Sequence, residues 1–285
     1  MPHRLVSVAI LLGWAVAAVA LLRRDVLPDW LIGPPPNMRT VVEADAREVP
    51  TRWAILVASE AGKDPRQVGQ ITTSSHHRPD GDTSMRSDAY IDSAALLKDT
   101  PFAAAGGDRI KIGGDFVVDA VGDLNHFRAW VRQDGDGAAE LLSLTGQIRG
   151  NSLEVAVRGA LPLLNGPILG GTRTLPYRPK GLVQNELGPL DRMPGLQVGQ
   201  RWESQVVNPI TGRVQTGQVR VVRKFAITWD SNPVNTLEVE TTLGLTRART
   251  WVRPGDGLVL RQEVPVGLVN LVLERIPETP AKTSP

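Results

Sequence analysis

Two hydrophobic patterns divide the chain. Leu5 to Leu22 is an apolar run without a charge, preceded by His3-Arg4 and followed by Arg23-Arg24-Asp25. As a helix at about 1.5 Å per residue it spans roughly 27 Å, close to the roughly 30 Å of a bilayer's hydrocarbon core. It predicts a single N-terminal transmembrane helix. A cleaved signal peptide is the alternative, since Ala18-Val19-Ala20 supplies a small-x-small site. Leu21 and Leu22 continue the apolar run past that site, which favours an uncleaved anchor. Flanking positive charges are nearly balanced, and a long following chain crosses largely regardless of them. The expectation is a single-pass protein of the cell membrane, with its N-terminus in the cytoplasm and its bulk extracytoplasmic, in the periplasm.

From Thr51 onward the period changes to two. Leu237, Val239, Thr241 and Leu243 alternate with Glu238, Glu240 and Thr242, the pattern of a strand with one buried and one wet face. Similar runs predict strands at 53–59, 68–74, 85–91, 109–120, 124–132, 140–148 and 153–158, then at 201–207, 215–224, 235–243, 247–253, 258–264 and 270–275. Turn residues punctuate them, as in Pro79-Asp-Gly81, Arg149-Gly-Asn151 and Pro254-Gly-Asp-Gly257. Only Asp92 to Lys98 reads as helical. The fold class is all-β and antiparallel.

One internal repeat stands out. Arg128-Ala-Trp-Val-Arg132 and Arg249-Thr-Trp-Val-Arg253 are each followed by a Gly/Asp turn and two further strands, which implies two related antiparallel β-units. They could form one curved sheet or two separate sandwiches. The domain reading is residues 1–24 as membrane anchor or signal, 25–50 as a Pro-rich spacer and 51–159 as the first unit. Residues 160–195 form a Pro- and Gly-dense connector, 196–277 the second unit and 278–285 a disordered tail.

Composition sharpens this by exclusion. The 285 residues include no cysteine, which removes disulfides, thiolate metal sites and cysteine nucleophiles. Glycine (28) and proline (22) together exceed their usual share, as a turn-rich β-protein would. Lys+Arg 32 against Asp+Glu 30 leaves +2, so no nucleic-acid partner is implied. Phosphate-binding loops, nucleophile elbows and His-Glu-x-x-His are all missing.

His76 and His77 with Asp80 and Asp82 offer the best metal or hydrolase constellation, yet adjacent strand residues point to opposite faces, and a solvated hairpin explains them better. His126, read on the face of Leu124 and Trp130, is a sheet histidine. Asp134-Gly-Asp-Gly137 lacks the spacing of a calcium loop and reads as a tight turn. Glu238 and Glu240 read as cross-strand partners for Arg247 and Arg249. No catalytic, cofactor or metal residue is assigned.

The residues hardest to dismiss are Arg128, Trp130 and Arg132 with Arg249, Trp251 and Arg253, each triplet read as sharing one strand face. Guanidinium groups beside an indole stack on it. This is first a framework feature and second a candidate contact for an anionic or aromatic ligand or a partner.

The stretch from Asn185 through Asp191-Arg-Met-Pro-Gly195 to Trp202, with Pro209-Ile-Thr-Gly212, Thr250-Trp-Val-Arg253 and Gly257-Leu-Val-Leu-Arg-Gln-Glu-Val264, resembles an uncharacterised family of membrane-anchored exported bacterial β-proteins. More loosely, the late Gly-Leu-Val-Leu-Arg-Gln-Glu strand is similar to periplasmic half-barrels of the lipoprotein-carrier type. The resemblance brings no active site. The expected function is non-catalytic: an anchored extracytoplasmic binding or scaffolding protein, accessory to an envelope protein or transporter complex. A lipid or apolar-ligand carrier is the alternative, and a hydrolase the remote one.

Overall fold

Alternation of apolar and polar side chains sets nearly every element. The computed structural model describes residues 14, 16, 17, 50–57, 65–98, 100, 107, 109–119, 123–135, 140–159, 170–177, 183–184, 189–208, 213–266 and 269–278. The first half holds β1 (Thr51–Val57), β2 (Arg66–His77), β3 (Thr83–Asp92), α1 (Ser93–Leu97), β4 (Arg109–Val118), β5 (Leu124–Gln133), β6 (Glu140–Arg149), β7 (Ser152–Gly159) and β8 (Gly171–Pro176). The second holds β9 (Val183–Gln184), β10 (Arg201–Asn208), β11 (Arg213–Trp229), β12 (Asn232–Leu243), β13 (Thr246–Val252), β14 (Val259–Val266) and β15 (Val269–Arg275). The helix starts where Asp92 Oδ1 accepts from Ala95 N at 2.9 Å, an N-cap.

All fifteen strands share one sheet, in the order β8-β7-β6-β5-β4-β3-β2-β1-β15-β14-β13-β12-β11-β10-β9. Of the two arrangements open to duplicated units, the chain adopts the continuous one. Each half is a meander, and the two are joined by antiparallel pairing of β1 with β15, from Trp53↔Arg275 to Val57↔Leu271. Every neighbouring pair is antiparallel except β9 with β10. The described sheet ends at β8 on one side and β9 on the other.

One face is largely apolar, with a buried polar patch at Thr51, Thr73 and Arg275. On it lie Trp53, Ile55, Ile71, Ala89, Val219, Val221, Val239, Val252 and Leu273, joined in one buried cluster. Phe127, Leu144, Leu153, Val155 and Tyr177 form another over β5 to β8. Burying each large side chain contributes about 1.5–3 kcal/mol. A third cluster, Ile227, Trp251, Leu258 and Leu260, includes residues of the opposite face of β13 and β14, so these strands bury side chains on both faces.

The segment 189–200 is tied to both meanders. Thr73 Oγ1 donates to Asp191 Oδ2 at 3.0 Å, and Arg275 reaches Asp191 Oδ1 at 3.5 Å and Thr51 Oγ1 at 3.0 Å. Val259 N donates to Asp191 O, Met193 N to Gly257 O and Gly199 N to Val221 O. Burial pushes the Asp191 carboxyl up, opposed by the Arg275 guanidinium. Gly257 has φ +68, and a methyl group there would meet the backbone of Pro194 and Met193, so the segment can pack here only against glycine.

Two expectations change. The 160–195 connector contains two strands, β8 and β9, and its last residues are built into the structure. β8 escapes the pattern because nearly all of it is exposed, so no alternation marks it. A bulge between Val117 and Val118 in the β4–β5 pairing leaves Asn125 unpaired. It turns Leu124 into the core while His126 stays exposed, so the two do not share a face. The expected anchor, spacer and tail lie outside the described residues, apart from Trp14, Val16, Ala17, Pro50 and Glu278. No helix among the described residues is long and apolar enough to cross a membrane.

Candidate ligand-binding face

The repeated motif falls on β5 and β13. In both copies a bulge inserts a leucine into the following strand: Leu141 in β6, where Val131 pairs with Leu142 and Arg132 with Glu140, and Leu260 in β14, where Trp251 pairs with Arg261 and Val252 with Val259. The two bulges are offset by one residue of the motif, after Val131 in β5 and after Trp251 in β13, and the two copies are compared with tryptophan set against tryptophan.

In the second copy the polar face is neutralised. The row through the indole reads Glu238, Trp251, Arg261, Glu274, and the next reads Glu240, Arg249, Glu263. Glu238 is buried and accepts from Arg223 at 2.7 Å and pairs with Arg249 at 3.6 Å. Arg247 pairs with Glu240 at 3.4 Å and Arg261 with Glu263 at 3.1 Å. Arg261 lies 5.4 Å from the centroid of Trp251, which is only 6% exposed. Arg253 does not share this strand face, because β13 ends at Val252. Arg253 instead grips Asp256 of the following turn at 3.0 and 2.6 Å, and this holds the Asp256 carboxyl down at about 2.

The first copy is built differently. Its corresponding rows read Gly113, Trp130, Ser143, Arg158 and Asp115, Arg128, Thr145. Glycine stands where the second copy has Glu238, threonine where it has Glu263 and arginine where it has Glu274. Gly113 lets the indole lie flat, since a methyl group there would run into Trp130 Cζ2. Arg132 caps the ring at 4.3 Å. Two strands away Lys111 caps Tyr90 at 4.6 Å, and Tyr90, Lys111 and Arg132 are successive partners across β3, β4 and β5. Arg128 pairs with Glu140 at 3.3 Å and is 54% exposed. Among the described residues Lys111, Arg132 and Arg158 have no carboxylate partner.

Ser143 is small where the second copy has Arg261, and a groove of about 340 Å³ opens there. Arg128, Glu140, Ser143, Thr145, Arg158 and Gly159 line it. Of the six candidate residues from the sequence, Arg128 lines this groove and Trp130 and Arg132 stand beside it on β5. Arg249, Trp251 and Arg253 belong to the neutralised copy. Ser143, Thr145, Arg158 and Lys111 escaped the sequence reading because only strand register brings them beside the motif. Elsewhere, His77 Nδ1 lies 2.8 Å from Thr83 Oγ1, His76 and His77 are exposed, and no three His, Cys, Asp or Glu side chains converge among the described residues.

No protein-family model and no curated protein matches this chain. Among solved structures it is similar to a β-barrel-like protein of DUF1849, a domain of unknown function, from Brucella abortus. The likeness has 10% identity and a TM-score of 0.47, and covers 86% of this chain and 97% of that one.

Proposed function

We propose that this is a non-catalytic binding protein, anchored to the membrane through Leu5–Leu22 with its sheet extracytoplasmic, that holds an envelope partner on the polar face of β3 to β7. One observation carries the reading. The Arg-x-Trp-Val-Arg motif occurs twice, and around the first copy three of the four carboxylates are replaced, Asp115 being kept, with Lys111, Arg132 and Arg158 left without a carboxylate partner among the described residues beside two cation-capped aromatic rings. Unpaired like charges on a sheet face weaken folding, so a cluster of them, with Arg158 exposed and Lys111 and Arg132 half-buried, is better explained by a partner than by the framework. In the second copy Arg249 and Arg253, the counterparts of Arg128 and Arg132, are both paired with carboxylates, and Glu274 stands in the place of Arg158.

The carrier reading gains no support, because the apolar face is filled by its own side chains: Trp53, Ile55, Leu144 and Leu153 are at most 1% exposed. The test is photo-crosslinking in intact cells with benzoylphenylalanine at Thr145 and, as a comparison, at Arg247. A discrete adduct from position 145 that is weaker or missing from position 247 supports the proposal. Equal adducts from both, or none from either, would refute it.

A further inference from the structure

We infer that the groove between Arg128 and Arg158 is a phosphate site, which names the ligand chemistry of the binding face proposed above and rests on that reading. The donors converge from three strands. Arg128 of β5, Thr145 of β6 and Ala156 of β7 form one row, and Trp130, Ser143 and Arg158 form the next. The two hydroxyls therefore sit between the two guanidinium groups, all lining one groove. Glu140 holds Arg128 through Nη2, at 3.3 and 3.5 Å, which fixes the side chain while leaving its other N–H donors available. Arg158 has no ion-pair or hydrogen-bond partner among the described residues. Arg132 is held on the indole at 4.3 Å and adds a further positive charge at the groove's edge.

Two guanidinium forks and two hydroxyls supply more donors than the two oxygens of one carboxylate readily use, whereas a phosphate offers three terminal oxygens that accept bidentate arginine. Arginine rather than lysine suits that geometry. A divalent cation is a poor fit, because Glu140 is the one carboxylate lining the groove and it is already paired. The volume of about 340 Å³ is at the small end for ligand pockets, roughly 300–1,000 Å³, enough for a phosphate with a small attached group. That chemistry has two sources, free phosphate and the terminal phosphomonoester of a lipid headgroup.

Calorimetric titration of the full-length chain in nonionic detergent tests this, with inorganic phosphate and with dihexanoyl phosphatidic acid as separate probes. Saturable binding of at least one probe is expected. Arg158→Gln should weaken it about tenfold or more, the loss of one charge-assisted contact. Thr145→Glu, which restores the carboxylate found in the second copy, should abolish it. Arg247→Gln is the control and should bind as the parent does. Tighter binding of the phospholipid identifies a headgroup as the source, and tighter binding of inorganic phosphate identifies a free ligand. Because all three positions are exposed, matched melting curves verify that folding is intact. No saturable binding of either probe, or unchanged affinity in Arg158→Gln and Thr145→Glu, would overturn the phosphate site. If that happens while the crosslink from position 145 persists, the binding face stands without its phosphate. If both disappear, both readings fall.

Discussion

At the scale of single residues, small side chains decide where function can sit. Gly113 is the clearest case, because its missing Cβ is the space that Trp130 occupies. Gly113→Ala should cost about 1–3 kcal/mol through overpacking and lift the indole away from Arg132. Urea melts combined with the tryptophan spectrum of a Trp130→Phe control would detect both effects, and an unchanged midpoint would show that the ring yields freely. The Arg253–Asp256 pair is a second case, governed by charge. Its carboxyl is held at about 2 against an ordinary 3.8, so the native state binds that proton less tightly than the unfolded chain does. The stabilisation is therefore full above the unfolded value and is lost as pH falls from 3.8 toward about 2. With the two side chains 37% and 38% exposed, solvent screening limits it to about 1 kcal/mol or less. Asp256→Asn should melt below the parent near about pH 6 and converge with it near about pH 2. A gap that persists in acid would assign the loss to the bond from Leu258 N instead.

At the scale of elements, the period-two pattern was sufficient for every strand that buries one face. All thirteen strands expected from alternation are present, and so is the one short helix. β8 and β9 were not legible because exposure and shortness erase the pattern. Strand register was not legible either, since bulges at Asn125, Leu141 and Leu260 change which side chains meet. That is why the Arg-Trp-Arg motif could be found in the sequence while the groove beside it could not. The cross-strand role read for Glu238 and Glu240 rested on local alternation alone, and the geometry pairs them with Arg249 and Arg247.

Segment 189–200 makes its own prediction. Asp191 and Arg275 are both buried, with side chains 11% and 5% exposed, and they join the segment to the strands that link the meanders. Removing one partner of such a pair strands the other charge and typically costs about 3–5 kcal/mol. Asp191→Ala and Arg275→Met should each lose about that much in chemical denaturation, and the double variant should lose less than the sum of the two. Additive losses, or single losses below about 1 kcal/mol, would mean that the two side chains are not coupled.

At the scale of the whole molecule, the sheet joins its two meanders through the first and last strands of the fold, and the rows around the two copies of the motif differ in charge. The second copy sets its arginines against carboxylates, and in the first Lys111, Arg132 and Arg158 have no carboxylate partner among the described residues. Two matched sets of substitutions compare these faces directly: Lys111→Gln, Arg132→Gln and Arg158→Gln together, against Arg247→Gln, Arg249→Gln and Arg261→Gln together. Crosslinking from position 145 in cells is measured for each set, with the melting temperature alongside. The first set should lose the adduct while melting close to the parent temperature, because relief of unpaired charge offsets the two lost cation–π contacts. The second should keep the adduct and melt lower, because it breaks ion pairs. Loss of the adduct in the second set with retention in the first would contradict the assignment of binding to the first copy.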